Sequence, residues 1–272
     1  MKKLLLFFAA ILMASTGLWA EKINVSYLYP VYNTEGDPTS GIKEWKTANA
    51  EADVLTADGR RTLGYSFYVV TDNVTFTRSL ICDGAVHLIL ADNARLTVTG
   101  DDSNAGIQVS GEGNSLTIYG QTEQSGQLEA TGKNMAAGIG GKDGGAGSNI
   151  TINGGNVTAN GGTYAAGIGG GCKAEGYNIT INGGTVTANS KASAAGIGGG
   201  LGAFGSNITI NGGTVTANGG IYASGIGGGE RSSGSNIFIA TDLAIKADGN
   251  NPPETVITNT GSDLAKDLDG KR

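Results

Sequence analysis

Between Thr131 and Ser235 the acidic side chains are Asp143, Glu175 and Glu230, and they are the first residues to weigh for chemistry. Glycoside hydrolysis needs two carboxyl groups facing each other across the scissile bond, one to protonate the leaving oxygen and one to act as base or nucleophile. Each of these acids instead stands alone in a glycine-rich stretch close to a cation, Lys142, Lys173 or Arg231. That is the pattern of solvated loop tips on a glycine-rich surface. A lyase would want a basic side chain beside a metal-binding acid cluster. The sole histidine, His87, lies between Val86 and Leu88 with no acid in its own strand, which marks a satisfied surface histidine. The recurring Gly-Ile-Gly-Gly lacks the Gly-Lys-Ser/Thr ending and following helix of a phosphate loop. No copy carries the aspartate of the calcium-binding Gly-Gly-x-Gly-x-Asp repeat. No catalytic residue, metal site or cofactor is expected.

Side chains suited to binding are better represented. Thr185, Thr187, Thr214 and Thr216 form a Thr-x-Thr array, preceded by Asn156 and Thr158, with Thr151, Thr180 and Thr209 on a neighbouring run. Such an array resembles the flat lattice with which some ice-binding proteins match ice, although threonine is also an ordinary outward β-branched residue that stacks on its own copies. Tyr164 and Tyr222 occupy one repeat position and could stack on sugar rings, but Ser193 interrupts the file. Asn153, Asn182 and Asn211 are expected to form an internal ladder that stabilises turns. The face of Ala165, Gly167 and Gly169 and their repeats is nearly bare of side chains, a strip that could receive another sheet or a flat polymer.

The elements that hold these residues follow from a fixed period. Gly138, Gly167, Gly196 and Gly225 sit in the block Ala-(Ala/Ser)-Gly-Ile-Gly-Gly, and 167−138, 196−167 and 225−196 each give 29. The phrase Asn-Ile-Thr-Ile-Asn-Gly-Gly recurs at Asn149, Asn178 and Asn207. A constant period without insertions gives each unit the same slot in a one-dimensional stack. Glycine, 48 of 272 residues, falls short of the one-third required by collagen, and no unit shows a 3.6-residue period. Alternation of period 2 instead predicts three short strands per unit: Asn149 to Asn153, Asn156 to Asn160 and Ala165 to Gly169. Ile150, Ile152, Val157, Ala159, Ala166 and Ile168 point inward. The predicted fold is all-β, a right-handed parallel β-helix of about six coils. The 29-residue repeat fills its C-terminal half. Less regular coils begin at Val86, Leu88 and Leu90, and the last, with Ile237, Ile239, Leu243 and Ile245, reads as lacking one turn residue.

The predicted organisation is a leader over 1–20, an N-terminal cap over 21–64, the β-helix over 65–250 and a C-terminal cap or tail over 251–272. Lys2 and Lys3, the apolar run from Leu4 to Met13 and the small residues ending at Ala20 have the form of a secretory signal peptide cleaved after Ala20. The apolar part is too short to span a membrane as a helix. Tyr27, Tyr29, Tyr32 and Trp45 are available to cover the end of the core. Cys82 and Cys172 fall several coils apart, beyond bridging distance, and are predicted to be free thiols. A net charge of −6 argues against nucleic acid or an anionic membrane as partner.

The runs Phe67 to Phe76, Val86 to Asp92 and Asn114 to Gln121, followed by the Ala-Ala-Gly-Ile-Gly-Gly repeats, resemble secreted bacterial glycine-rich β-solenoid repeat proteins of gut anaerobes. The resemblance covers roughly Tyr65 to Ala247. It implies an extracellular or cell-surface solenoid of adhesin-like or carbohydrate-binding type, with no catalytic residues to transfer. The expected function is therefore non-catalytic binding of a polysaccharide or cell-surface glycan, with Tyr164, Tyr222, Thr185, Thr187, Thr214 and Thr216 as candidate ligand residues. The alternatives are a polysaccharide lyase or hydrolase, with Glu112, Glu123 or Glu129 as its candidate carboxylates beside the N-terminal cap, and a structural protein that self-associates through the bare glycine face.

Overall fold

The computed structural model describes residues 21–240 except 58 and 60, and residues 244–248 and 256–258. The expected leader and, apart from 256–258, the expected C-terminal cap or tail lie outside them. The described residues are strands and turns throughout, arranged as a parallel β-solenoid. Its repeating faces are exemplified by Gly147–Ile152 on face one, Asn156–Asn160 on face two and Ile168–Gly169 on face three. Two hairpin strands, β1 (Lys22–Thr34) and β2 (Asp37–Val54), extend the sheet of face one, and Val256–Thr258 closes face two antiparallel. Sheets of nine, eight and seven strands therefore leave 9−2, 8−1 and 7, or seven stacked strands on every face. Thr62–Leu63, Ser66–Val70 and Asn73–Phe76 supply a rung ahead of the coils counted from Val86.

Strand pairing copies each residue onto its repeat. Ile150 pairs with Ile179 and Ile179 with Ile208, and on face two Val157, Val186 and Val215 align in the same way. These side chains are at most 1% exposed and join one continuous core. Burial of each large aliphatic stabilises the fold by about 1.5–3 kcal/mol, and every coil contributes to the same column.

One local departure from simple alternation has a clear cause. Strands on face one begin at Gly147, Gly176 and Gly205, and Ser148 and Ile150 pair across the coils while Asn149 does not. Asn149, Asn178, Asn207 and Asn236 adopt φ of 56°, 54°, 51° and 52°, a left-handed bulge that asparagine tolerates better than most side chains. Their amides bond one coil to the next at 3.0–3.2 Å.

The last turn also differs from expectation. Ile210 pairs with Ile239, 29 residues on, but Val215 pairs with Ile245, 30 residues on. The turn is one residue longer, not one shorter. The expected register was thus wrong by two residues, a slip that leaves the inward parity unchanged and so escapes the hydrophobic pattern.

The bare strip on face three is not a surface. Ala165, Gly167 and Gly169 are buried, as are Ala194, Gly196 and Gly198. The loops on either side of each short strand close over it: Ala166 N–H bonds Gly170 O, and Cys172 and Leu201 N–H bond Met135 and Tyr164 O of the preceding coil. Glycine is required by this close approach, since a Cβ on Gly167 would lie 2.5 Å from Asn189 N. Self-association through an exposed glycine strip is excluded.

Within the expected cap over 21–64, Lys22–Val54 forms a hairpin laid along the flank of the stack, and Thr62–Leu63 already belongs to the first rung. Outward positions of face one are apolar in the first coils, at Phe67, Val69, Ile89 and Tyr119, and become Thr151 and Thr180 later. Val25 and Tyr27 of β1 cover that apolar patch, with the Tyr27 ring centroid 4.5 Å from that of Tyr119 and 5.4 Å from that of Phe67. The tyrosines expected over the end of the core therefore lie against its side, while Leu55 and Leu63 join the core itself.

A groove between the hairpin and an asparagine corner

Contacts of the hairpin climb the coils. Val54 pairs with Val69 in the first coil, Ser26 O accepts Gln121 Nε2 at 2.9 Å after the third, and Tyr32 Oη accepts Asn182 Nδ2 at 2.8 Å after the fifth. The hairpin thereby reaches the corner between faces one and two, where each regular coil turns through Asn-Gly-Gly. Asn153, Asn182 and Asn211 form the ladder expected there: Asn182 Nδ2 donates to Asn153 Oδ1 at 2.8 Å, and Asn211 Nδ2 to Asn182 Oδ1 at 2.9 Å. A third ladder joins Asn160, Asn189 and Asn218 at the other end of face two, at 2.8 and 2.7 Å.

An open groove of about 470 Å³ separates the hairpin from this corner. Leu28, Ile42, Lys43, Glu44 and Trp45 form one wall, and the amides of Gln124, Asn153, Asn182 and Asn211 with their glycines form the other. Trp45 remains 40% exposed. Its ring sits so close to Gly183 that a Cβ there would lie 3.1 Å from Trp45 Cζ2. Glu44 is the carboxylate among the described lining residues, and it pairs with Lys46 at 3.1 Å. Burial raises the Tyr32 hydroxyl pKa, with the Asn182 amide opposing, so at neutral pH the hydroxyl is uncharged and can accept the amide proton.

Other titratable groups are committed elsewhere. Glu129 pairs with Arg95 at 2.6 Å on face two. Glu112 and Glu123 are exposed and absent from the groove lining. The Arg78 guanidinium, 2.8 Å from Asp101, holds that carboxyl well below the usual range, helped by Ser79 and Asn104. His87 points outward as expected but is half-buried: its ring stacks on Phe67 at 4.5 Å and Nδ1 lies 3.1 Å from Tyr119 Oη. Burial lowers its pKa. Cys82 and Cys172 are buried free thiols, as expected, and burial pushes the Cys82 thiol up to about 12.

The sequence-predicted ligand residues do not meet in one place. Tyr164 and Tyr222 lie in loops before face three, both with left-handed backbones at φ 64° and 67°. Two coil steps, about 10 Å, separate them. Thr185 aligns with Thr214 and Thr187 with Thr216 on face two, the first pair exposed and the second half-buried. The file continues through Asn156, Gln127 and Arg95, so the threonine lattice is short. Thr185 and Thr214 directly follow Gly184 and Gly213 and border the groove. Sequence reasoning missed Trp45 as a groove residue. The available signal was a long alternating segment carrying one tryptophan, ahead of a stack whose corners repeat Asn-Gly-Gly.

Solenoid, repeat and ladder together define a β-helix repeat protein. Residues 150–172, 179–201 and 208–230 match the beta helix repeat family, three consecutive copies in phase with the coils. No curated protein and no solved structure matches the chain significantly.

Proposed function

We propose that the chain is a non-catalytic, exported, adhesin-like solenoid whose groove binds a glycan. The observation that carries this reading is the placement of an exposed indole against a corner of repeated amides. Indole faces cover the apolar face of a sugar ring, and amides both donate to and accept from hydroxyls. Groove sites that combine an aromatic surface with a few convergent polar groups are the usual form of a small-ligand site. Hydrolysis is the weaker reading, because Glu44 is engaged by Lys46 and no second lining carboxylate faces it among the described residues.

Retention on insoluble polysaccharides and a glycan array test the proposal. The mature chain should be retained by at least one glycan, and Trp45→Ala should weaken retention at least tenfold while the circular dichroism spectrum stays unchanged. The same retention with Trp45→Ala as with wild type would move the site elsewhere; no retention on any glycan would overturn the function.

A further inference from the structure

The inner asparagine ladder has a direction, and the direction leaves an end. Every rung donates its Nδ2 to the Oδ1 of the preceding coil, from Asn211 to Asn182 and from Asn182 to Asn153. The next rung would stand one 29-residue step on, at position 240, which is alanine. Its backbone N–H is held as in the ladder, with Ala240 N–H bonded to Ile210 O at 2.8 Å just as Asn211 N–H bonds Ile181 O at 2.7 Å. Asn211 is 8% exposed, and its Oδ1 is a buried acceptor with no hydrogen-bond partner among the described residues. It also lines the groove. A buried acceptor left without a donor costs free energy, and a bound water or ligand hydroxyl that donates to it removes that cost.

Groove chemistry identifies that donor. Lining amides offer neutral donors and acceptors, and the lining charges are Lys43 and Glu44, one of each sign. A chain with net charge −6 repels polyanions at long range. From Asn153 to Asn211 the ladder spans two coil steps, about 10 Å along the solenoid axis, roughly the length of two sugar rings.

We infer that the groove takes a neutral glycan laid along the solenoid axis, with one ring against Trp45 and a hydroxyl donating to Asn211 Oδ1. This rests on the glycan-binding reading above and adds to it the class of glycan, its direction and the residue that anchors it.

Ala240→Asn provides the test, because it should extend the ladder by one rung and supply Asn211 Oδ1 with an internal donor. The wild-type chain, Ala240→Asn and Trp45→Ala would be titrated with neutral gluco-, manno- and xylo-oligosaccharides and with oligogalacturonate. Neutral oligosaccharides should bind, and Ala240→Asn should weaken them about five- to tenfold, the worth of one hydrogen bond. Its melting temperature should be equal to or above that of wild type. Neutral binding that is unchanged in Ala240→Asn overturns the inference and leaves the proposed function standing, as does preferential binding of oligogalacturonate. Binding of no glycan overturns both. Should Ala240→Asn fail to fold, the side-chain amide resonance of Asn211 in wild type reads the same contact: a shift on saturation with the neutral oligosaccharide supports the inference, and no shift overturns it.

Discussion

Asn182 shows how much one side chain does in this molecule. Its Nδ2 donates to Asn153 Oδ1 along the ladder and to Tyr32 Oη across to the hairpin, and its Oδ1 accepts from Asn211. All three bonds are shielded, with Asn182 1% exposed. Asn182→Ala would leave the Asn153 acceptor and the Asn211 donor unsatisfied inside the corner, where each buried orphan costs about 1–3 kcal/mol. Tyr32→Phe leaves one Nδ2 hydrogen of Asn182 without its acceptor, but at the part-buried groove edge where water can replace the hydroxyl, and should cost no more than about 1 kcal/mol. Urea unfolding of the two variants should therefore rank Asn182→Ala well below Tyr32→Phe. Equal midpoints would mean that the ladder contributes little and the hairpin bond is what matters. The ladder was legible in the sequence because asparagine recurs at one position every 29 residues. Its unpaired end became visible only once strand register had placed Ala240 in the file.

At the scale of elements, the hairpin decides what the regular coils become. Coil strands were readable because inward isoleucine and valine alternate with threonine and asparagine, and the period locates every turn. The hairpin was not: Lys22 to Val54 alternates as any exposed strand does, and nothing local says which surface it will cover. That depends on the outward apolar residues of face one, which alternation assigns to solvent until a partner is known. His87 reports on this cover. Burial against Phe67 and Tyr119, the rings that the hairpin covers, lowers its pKa below the ordinary value of about 6.5. Between the folded and unfolded pKa values the unfolded chain binds a proton that the folded chain refuses, so stability rises with pH across that window. The contribution is complete above about pH 6.5 and declines as pH falls below it. His87→Gln keeps a polar side chain but cannot titrate, so its stability should fall less than that of wild type between pH 7.5 and pH 5.5. Parallel urea midpoints for the two chains over that range would show that His87 titrates as it does in the unfolded chain.

At the scale of the whole molecule, the stack is a one-dimensional array whose stability is a sum over coils and the interfaces between them. Residues 179–207 make one complete period, and removing them would join Asn178 to Ile208 as Asn207 is joined now. The inward columns, the ladders and the buried glycine loops would all re-form in register, because each residue meets a copy equivalent to the one it lost. The hairpin would meet Asn211 where it now meets Asn182, so its polar tether has an equivalent partner. The deleted coil takes with it the buried Ile179, Ile181, Val186 and Ile197, and the chain should be measurably easier to unfold while keeping a β-type circular dichroism spectrum and a single cooperative transition. Small-angle scattering should find the rod shorter by one coil step, about 4.8 Å. Removing residues 179–193 instead would set Gly205–Ile210 of face one over the loop that follows face two and Ile197 over the Asn-Gly-Gly corner, stranding the inward columns against loops, and that chain should not fold. If both deletions behaved alike, the period would not be what holds the coils in register.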